Sequence, residues 1–280
     1  MTASGPDIPA TGGAPVTSSD SPYSKIDTSV PHPARRYDYW LGGKDNFEAD
    51  RISGDAIAED FPTIRLAVLE NRKFMRRVVA DLARKRFRRF LDIGTGIPTH
   101  PNLHEIAQAI APDSRIVYLD NDPLVMCHDR ALLTSSPEGT VAYIEADLRD
   151  PDAILADPVL RETLDFGEPV ALFLIAVLHF ITDEDDAHAC VARLVAALPP
   201  GSVVVVSHVG ETLSRFNAPA GSKHGAFRAR TKDEVEQLLA GLELLDPGVV
   251  SVVDWLPDQE PTPTASAEDT AAYGVVARLP

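Results

Sequence analysis

Phe90-Leu91-Asp92-Ile93-Gly94-Thr95-Gly96-Ile97-Pro98-Thr99, followed downstream by Ile116-Val117-Tyr118-Leu119-Asp120-Asn121-Asp122-Pro123, is the stretch that decides the fold. The first segment reads as a buried strand that runs into a glycine turn and then a helix. The second is another apolar strand, ending in a carboxylate. Glycine allows backbone N–H groups to approach a ligand where a Cβ would clash. An acid at the tip of the next strand can accept hydrogen bonds from ribose hydroxyls, as in nucleotide-binding βαβ units. The pair predicts a nucleoside-like cofactor at Gly94, Thr95 and Gly96, with Asp120 as its ribose acceptor.

Which nucleoside follows from the turn. Dinucleotide folds place a pyrophosphate on a helix N-terminus behind G-x-G-x-x-G. Here the third glycine is missing and Ile97-Pro98 fill the turn. Proline removes an N–H that a phosphate would use. Asp92, just before the glycines, would repel a pyrophosphate but suits an ammonium group. S-adenosylmethionine carries an ammonium, a sulfonium and no phosphate, so the local electrostatics favour it over NAD.

Outward from this unit, strands are expected near 88–93, 115–120, 140–145, 169–175, 202–208, 249–254 and 271–278, and helices near 64–86, 102–111, 123–133, 185–197 and 231–240. The run from Pro169 to Leu178 is continuously apolar, as in a strand covered on both faces. This alternation predicts a doubly wound, mostly parallel α/β sheet that binds its ligand at the carboxyl ends of the strands. The last two strands follow one another without an intervening helix, across a Pro- and Thr-rich loop at 257–270. Residues 1–26, rich in Thr, Ser, Gly, Pro and Ala, are expected to be disordered. Residues 27–280 are expected to be one domain, with a lead-in and helix at 27–86 ahead of a core at 87–280.

Leu91-Asp92-Ile93-Gly94-Thr95-Gly96 resembles motif I of class I S-adenosylmethionine-dependent methyltransferases. A narrower resemblance is to bacterial S-adenosyl methyltransferases formerly classed as a domain of unknown function. It is carried by Ala34 to Phe47, Asp50-Arg51, Asn71-Arg72-Lys73-Phe74, Gly96-Ile97-Pro98-Thr99, Asn102-Leu103-His104-Glu105, Pro247-Gly248-Val249-Val250 and Trp255, and spans roughly residues 27–280. Pro98 departs from the general methyltransferase pattern, but the narrower family shares it. The resemblance implies a Rossmann-like, seven-stranded, mostly parallel sheet with a C-terminal β-hairpin and an N-terminal helical lid over the cofactor. It places Asp120 at the ribose-binding acid, and Asp147-Leu148, within Glu145-Ala146-Asp147-Leu148, beside the adenine.

Several of these residues have two readings. Asn121 or Asp122 suits the cap of the helix that begins at Pro123. Asp147 either bounds the adenine or caps the segment at 151. Tyr37, with Tyr39 and Trp40, either faces the sulfonium through a cation–π contact or packs on the sheet edge. Arg72 either forks onto the methionine carboxylate or lies on the surface. His179, just beyond the fourth strand, is either a general base for a hydroxyl acceptor or a structural histidine. His100 and His104 have the i, i+4 spacing of a zinc pair, but no further ligand lies nearby in sequence, so no metal is expected.

Composition narrows the function further. Twenty-six basic against forty-two acidic residues give a formal charge of −16, which argues against a nucleic-acid partner. The basic run Arg72-Lys73, Arg76-Arg77 and Arg84 to Arg89 reads as a solvated helix face. The two cysteines, Cys127 and Cys190, form no disulfide framework or metal spacing. No apolar run reaches transmembrane length and no leader pattern is present, so a cytoplasmic location is expected. These readings predict S-adenosylmethionine-dependent methyl transfer to a small-molecule acceptor. The alternatives are a non-catalytic cofactor-binding protein, an NAD-dependent oxidoreductase, and a nucleic-acid methyltransferase, the last lacking its Pro-Pro signature after the fourth strand. Phe216, Phe227, Lys223, His224, Arg228 and Arg230 point to an acceptor with polar and apolar parts. Oligomeric state is not legible.

Overall fold

The apolar residues of the central strands alternate between two cores. On β1 (Arg89–Ile93), Leu91 and Ile93 belong to one cluster and Phe90 to the other. On β4 (Ala171–Ile175), Leu172 and Leu174 face Ala171 and Phe173 in the same way, and on β5 (Val203–Val209) Val204 and Val206 oppose Val203 and Val205. Side chains alternate with a period of two along a strand, so a continuous apolar run must be covered on both faces. Each of the Val, Leu, Ile and Phe side chains among them contributes about 1.5–3 kcal/mol by leaving water. The computed structural model describes residues 26–132, 134–256 and 265–280.

The remaining strands are β2 (Arg115–Asp120), β3 (Thr140–Glu145), β6 (Glu243–Leu244), β7 (Val250–Ser251) and β8 (Ala272–Arg278). They form one sheet in the order β3-β2-β1-β4-β5-β8-β6, with β7 also paired to β8. Strands β1 to β5 pair in parallel, whereas β8 is antiparallel to β5, β6 and β7. Eight strands replace the seven expected, because the edge opposite β8 is broken in two. The strand expected at 249–254 is only Val250–Ser251, and a 3-10 turn takes up Val252–Asp254. Gly248, at φ +81°, and the turn around it interrupt the edge. Chain order reverses between β1 and β4, and the cleft opens there, at the carboxyl ends of the strands.

Helices α3 (Ile64–Arg84) and α4 (Leu103–Ile110) cover one face of the sheet through Phe74, Val78, Leu82 and Leu103. The other face is covered by α6 (Pro151–Ala156), α7 (Pro158–Leu164), α8 (Ala187–Val195) and α9 (Lys232–Leu238). Aspartates at 150 and 157 cap the short α6 and α7, each ahead of a proline in the first turn. The basic run on α3 is not simply a solvated face. Arg77 is buried and donates to the carbonyls of Val252 and Trp255, both at 2.6 Å. Trp255 in turn donates Nε1–H to Gly274 O at 2.9 Å.

Helices α1 (Pro33–Trp40) and α2 (Glu48–Asp60) precede α3, while α5 (Pro123–Leu132) follows β2 and α10 (Ala267–Thr270) precedes β8. Polar residues hold α1 and α2 together. The fully buried Asp50 accepts from the backbone N–H groups of His32 (2.8 Å) and Phe47 (2.9 Å). Asp38 accepts from Asp45 N and Asn46 Nδ2 at 3.0 and 2.8 Å. A Cβ at Gly43 would fall 1.9 Å from the Asp38 carboxylate, so the loop closes only around glycine. The tail at 1–25 and residues 257–264 of the late loop lie outside the described residues.

Candidate functional site

A cavity of about 630 Å³ opens at the carboxyl ends of β1, β2 and β4, well inside the range of small-molecule sites. Its floor is the turn after β1. Gly94 and Gly96 have φ of +75° and +67°, the left-handed region that favours glycine. A Cβ on Gly94 would meet Val177 at 2.6 Å, whereas one on Gly96 would meet nothing within 4 Å. Position 94 therefore demands glycine for packing, and the space beside 96 is left to the cavity. The N–H groups of Gly94 and Thr95 both bond Leu119 O, at 2.7 and 3.2 Å, tying the turn to the tip of β2.

Asp120 lines the cavity at that tip. Its Oδ2 accepts from Gly96 N and its Oδ1 from Asp122 N, both at 2.9 Å. Burial pushes its pKa up, while these two N–H donors favour the charged form. Asp122, one of the two candidates for capping α5, does so through Leu124 N at 3.0 Å. It is also forked by Arg35, with Nε and Nη2 each 2.9 Å from a carboxylate oxygen, and has His32 Nδ1 at 3.2 Å. Burial opposes ionisation of Asp122, but Arg35 and His32 hold its carboxyl below the ordinary range.

Asp92 is buried beneath the turn and lines the same cavity. Burial pushes its pKa up to about 7, against Arg72 and the Thr95 hydroxyl, which favour the charged form. Asn121 lines the cavity and donates Nδ2–H to Asp147 at 3.0 Å. Asp147 does not cap α6. Arg149 binds it through Nε and Nη2 and, with Asn121, lowers its pKa to about 2. Leu148 beside it is buried and apolar against the cavity.

The sequence profile of the S-adenosyl methyltransferase family matches residues 19–280. The chain belongs to this family. Two solved structures agree with the assignment. A DUF574 family protein from Streptomyces avermitilis is 48% identical, with a TM-score of 0.87 over 91% of this chain and 100% of the other. A protein from Thermobifida fusca, described as a candidate methyltransferase, is 37% identical, with a TM-score of 0.81 over 90% of this chain and 96% of the other. No curated protein matches significantly. The fold is accordingly that of a class I, S-adenosylmethionine-dependent methyltransferase.

Within this methyltransferase, Asp92, Gly94, Thr95, Gly96, Asp120, Asn121, Asp147, Leu148, Tyr37, Arg72 and His179 all line the one cavity. Arg72 does so with its head group engaged, donating Nη2–H to the carbonyls of Thr99 (2.6 Å) and Pro101 (3.2 Å). It braces the loop after β1. Tyr37 has its hydroxyl fixed between Val68 O at 3.0 Å and Asn71 Nδ2 at 2.9 Å. Trp40 also lines the cavity, whereas the Tyr39 hydroxyl bonds Asp55 at 2.7 Å and its ring lies under Arg65 at the surface. His100 and His104 part company, the first exposed beside Glu105 and the second buried on Tyr118. Among the described residues no three His, Cys, Asp or Glu side chains form a metal-sized group, and no helix is long and apolar enough to cross a membrane.

The far wall differs from the sequence expectation. Arg228 is taken up by Asp183 and Glu234 at 3.1 and 2.7 Å, and Arg230 is buried behind the wall. Arg230 donates to Leu178 O, Ile181 O and His208 Nε2, each at 3.0 Å. His208 must then carry its proton on Nδ1, which faces Val209 O at 2.8 Å. Burial and Arg230 lower the pKa of His208 to about 3, so it stays neutral. His179 is neutral for the same reasons, burial first, and its Nδ1 has no partner. Sequence reasoning missed Arg36, which also lines the cavity, and the Arg35–Asp122 pair. Adjacent arginines in a short helix carry no signal of which one is buried.

Proposed function

We propose that this methyltransferase acts on a small molecule held between the turn after β1 and the wall formed by His179, α1, α2 and residues 209–230. The observation that carries this reading is the single cavity, which joins the Gly94–Gly96 turn and Asp120 to His179, Phe216 and Phe227 without a break. Residues 27–86 cover it as a helical lid. Asp120 would accept the ribose hydroxyls, Asp92 and the glycine turn would face the methionine portion, and Asp147 and Leu148 would bound the adenine.

S-adenosylmethionine, when bound, supplies an electrophilic methyl group together with its own leaving group. The chain then has to orient an acceptor and exclude water; orientation alone can supply several kcal/mol. With its pKa held well below the ordinary range by burial, His208, Arg230 and Arg36, His179 is a weak base, and it would orient an acceptor rather than take its proton.

Thermal unfolding with S-adenosylmethionine, S-adenosylhomocysteine or NAD tests the reading. A ligand at about a hundred times its Kd adds roughly 2.7 kcal/mol. Stabilisation by both adenosyl ligands, absent with NAD and lost in Asp120→Ala, is expected. An unchanged response in Asp120→Ala would refute the assigned site. Product formation from a panel of small hydroxyl and amine acceptors, followed as a gain of one methyl mass, then tests the acceptor class.

A further inference from the structure

Arg36 is 3% exposed and makes no ion pair among the described residues. Its partners are neutral. Nη2 donates to His224 O at 3.0 Å, Nη1 lies 3.4 Å from Ser53 Oγ, and Nε is enclosed without an acceptor. Asp50 acts on it only through space, because its own carboxylate is committed to the backbone of His32 and Phe47. A buried charge without a counter-ion is costly, and a buried N–H without an acceptor adds to that cost. Its neighbour Arg35 has a buried carboxylate forked onto it, so the helix can satisfy such a group where the chain provides one.

The surroundings repeat the pattern. Lys223 and His224 line the same wall, and the His224 ring is held by Ser53 at 2.7 Å. His179, unpartnered at Nδ1, feels Arg36 and Arg230 but no carboxylate. The carboxylates of the cavity gather elsewhere. Asp92, Asp120 and Asp147 stand at the ends of β1 to β3, and Asp38 is spent on Asp45 and Asn46. Beyond the cationic wall the lining is apolar, with Ile57, Phe61, Phe180, Leu213, Phe216 and Phe227. In a protein of net charge −16, this is a local inversion of sign facing a cavity.

We infer that the acceptor is an organic anion, a small carboxylate on an apolar body, and that Arg36 binds its carboxylate. A planar carboxylate is the natural partner of a guanidinium, and Arg36 has no carboxylate bonded to it, only the His224 carbonyl and, at 3.4 Å, the Ser53 hydroxyl. The apolar body would lie against Phe216 and Phe227. The inference rests on the methyltransferase reading only in naming the anion as methyl acceptor; the anion subsite itself is independent of it.

The probes are 4-fluorobenzoate and its neutral isostere 4-fluorobenzamide, small enough that fit does not limit entry. Binding is followed by fluorine NMR with and without saturating S-adenosylhomocysteine. The acid is expected to bind at least ten-fold more tightly than the amide to the wild-type protein. In Arg36→Met that preference disappears, in Arg36→Lys it is reduced, and affinity for S-adenosylhomocysteine stays within two-fold by calorimetry. Equal binding of acid and amide, binding of neither, or a preference that survives Arg36→Met would each overturn the inference. The wild-type comparison stands even if a variant fails to fold. Lack of S-adenosylhomocysteine binding, with the acid preference intact, would instead overturn the assigned cofactor site.

Discussion

Replacing Asp92 by Asn should stabilise the ligand-free protein, and only in one range of pH. The carboxyl is 8% exposed and its pKa is pushed from 3.8 to about 7, chiefly by burial. Its folded value lies above the unfolded one, so the stability it contributes is full below pH 3.8 and is lost as pH rises to 7. At about 1.4 kcal/mol per unit, the ionised form costs up to roughly 4 kcal/mol above pH 7. Asn keeps the shape and has no charge to bury. Relative to wild type, Asp92→Asn should thus gain up to about 4 kcal/mol at pH 8, roughly 8 °C in Tm at about 2 °C per kcal/mol. Below pH 5 the gain should shrink towards zero. The assay is unfolding of the ligand-free protein, wild type and variant, at half-unit steps from pH 4.5 to 8.5. A difference in Tm that does not change with pH, or a variant less stable than wild type at pH 8, would refute the reasoning. The ammonium group that S-adenosylmethionine and S-adenosylhomocysteine share would favour the charged form of Asp92, so affinity for S-adenosylhomocysteine should rise with pH up to about 7 in wild type and lose that slope in the variant.

Gly94→Ala meets both a left-handed backbone and Val177 at 2.6 Å; a loss of at least about 1–3 kcal/mol is expected in denaturant unfolding, together with loss of S-adenosylhomocysteine binding by calorimetry. Arg35→Met strands the buried Asp122 carboxylate, which should cost about 3–5 kcal/mol. Adding Asp122→Ala should recover part of that loss, and a fully additive double mutant would contradict the pairing. Asp147→Ala removes a carboxylate paired with an exposed Arg149. Its stability should change by less than about 1 kcal/mol, while affinity for S-adenosylhomocysteine falls roughly ten- to hundred-fold.

The parallel half of the sheet was legible in the sequence because its strands are buried on both faces. Phe90, Leu91 and Ile93 on one strand, and Ile116, Val117 and Leu119 on the next, are apolar because both faces are covered. The opposite edge was not legible. Glu243–Leu244 and Val250–Ser251 are two residues each, too short to show a period, and their partner β8 defines them. The lead-in hid for a different reason. Arg35, Arg36, Asp38, Asp50 and Ser53 are buried polar residues, and hydrophobic patterning places such residues outside. Their burial depends on partners as remote in sequence as Asp122 and His224. That Asp120 and the glycine turn would meet could be read because both belong to one βαβ unit. The carbonyls that Arg72 holds, at Thr99 and Pro101, could not, since they come from another element.

Residues 35 and 36 are consecutive, yet they are fastened to different ends of the cleft. One reaches behind the tip of β2 to Asp122, two residues from the carboxylate at that tip, and the other reaches across to His224 on the far wall. A rigid movement of so short a helix breaks both grips together, so the two ends of the cleft would loosen in one step rather than in turn.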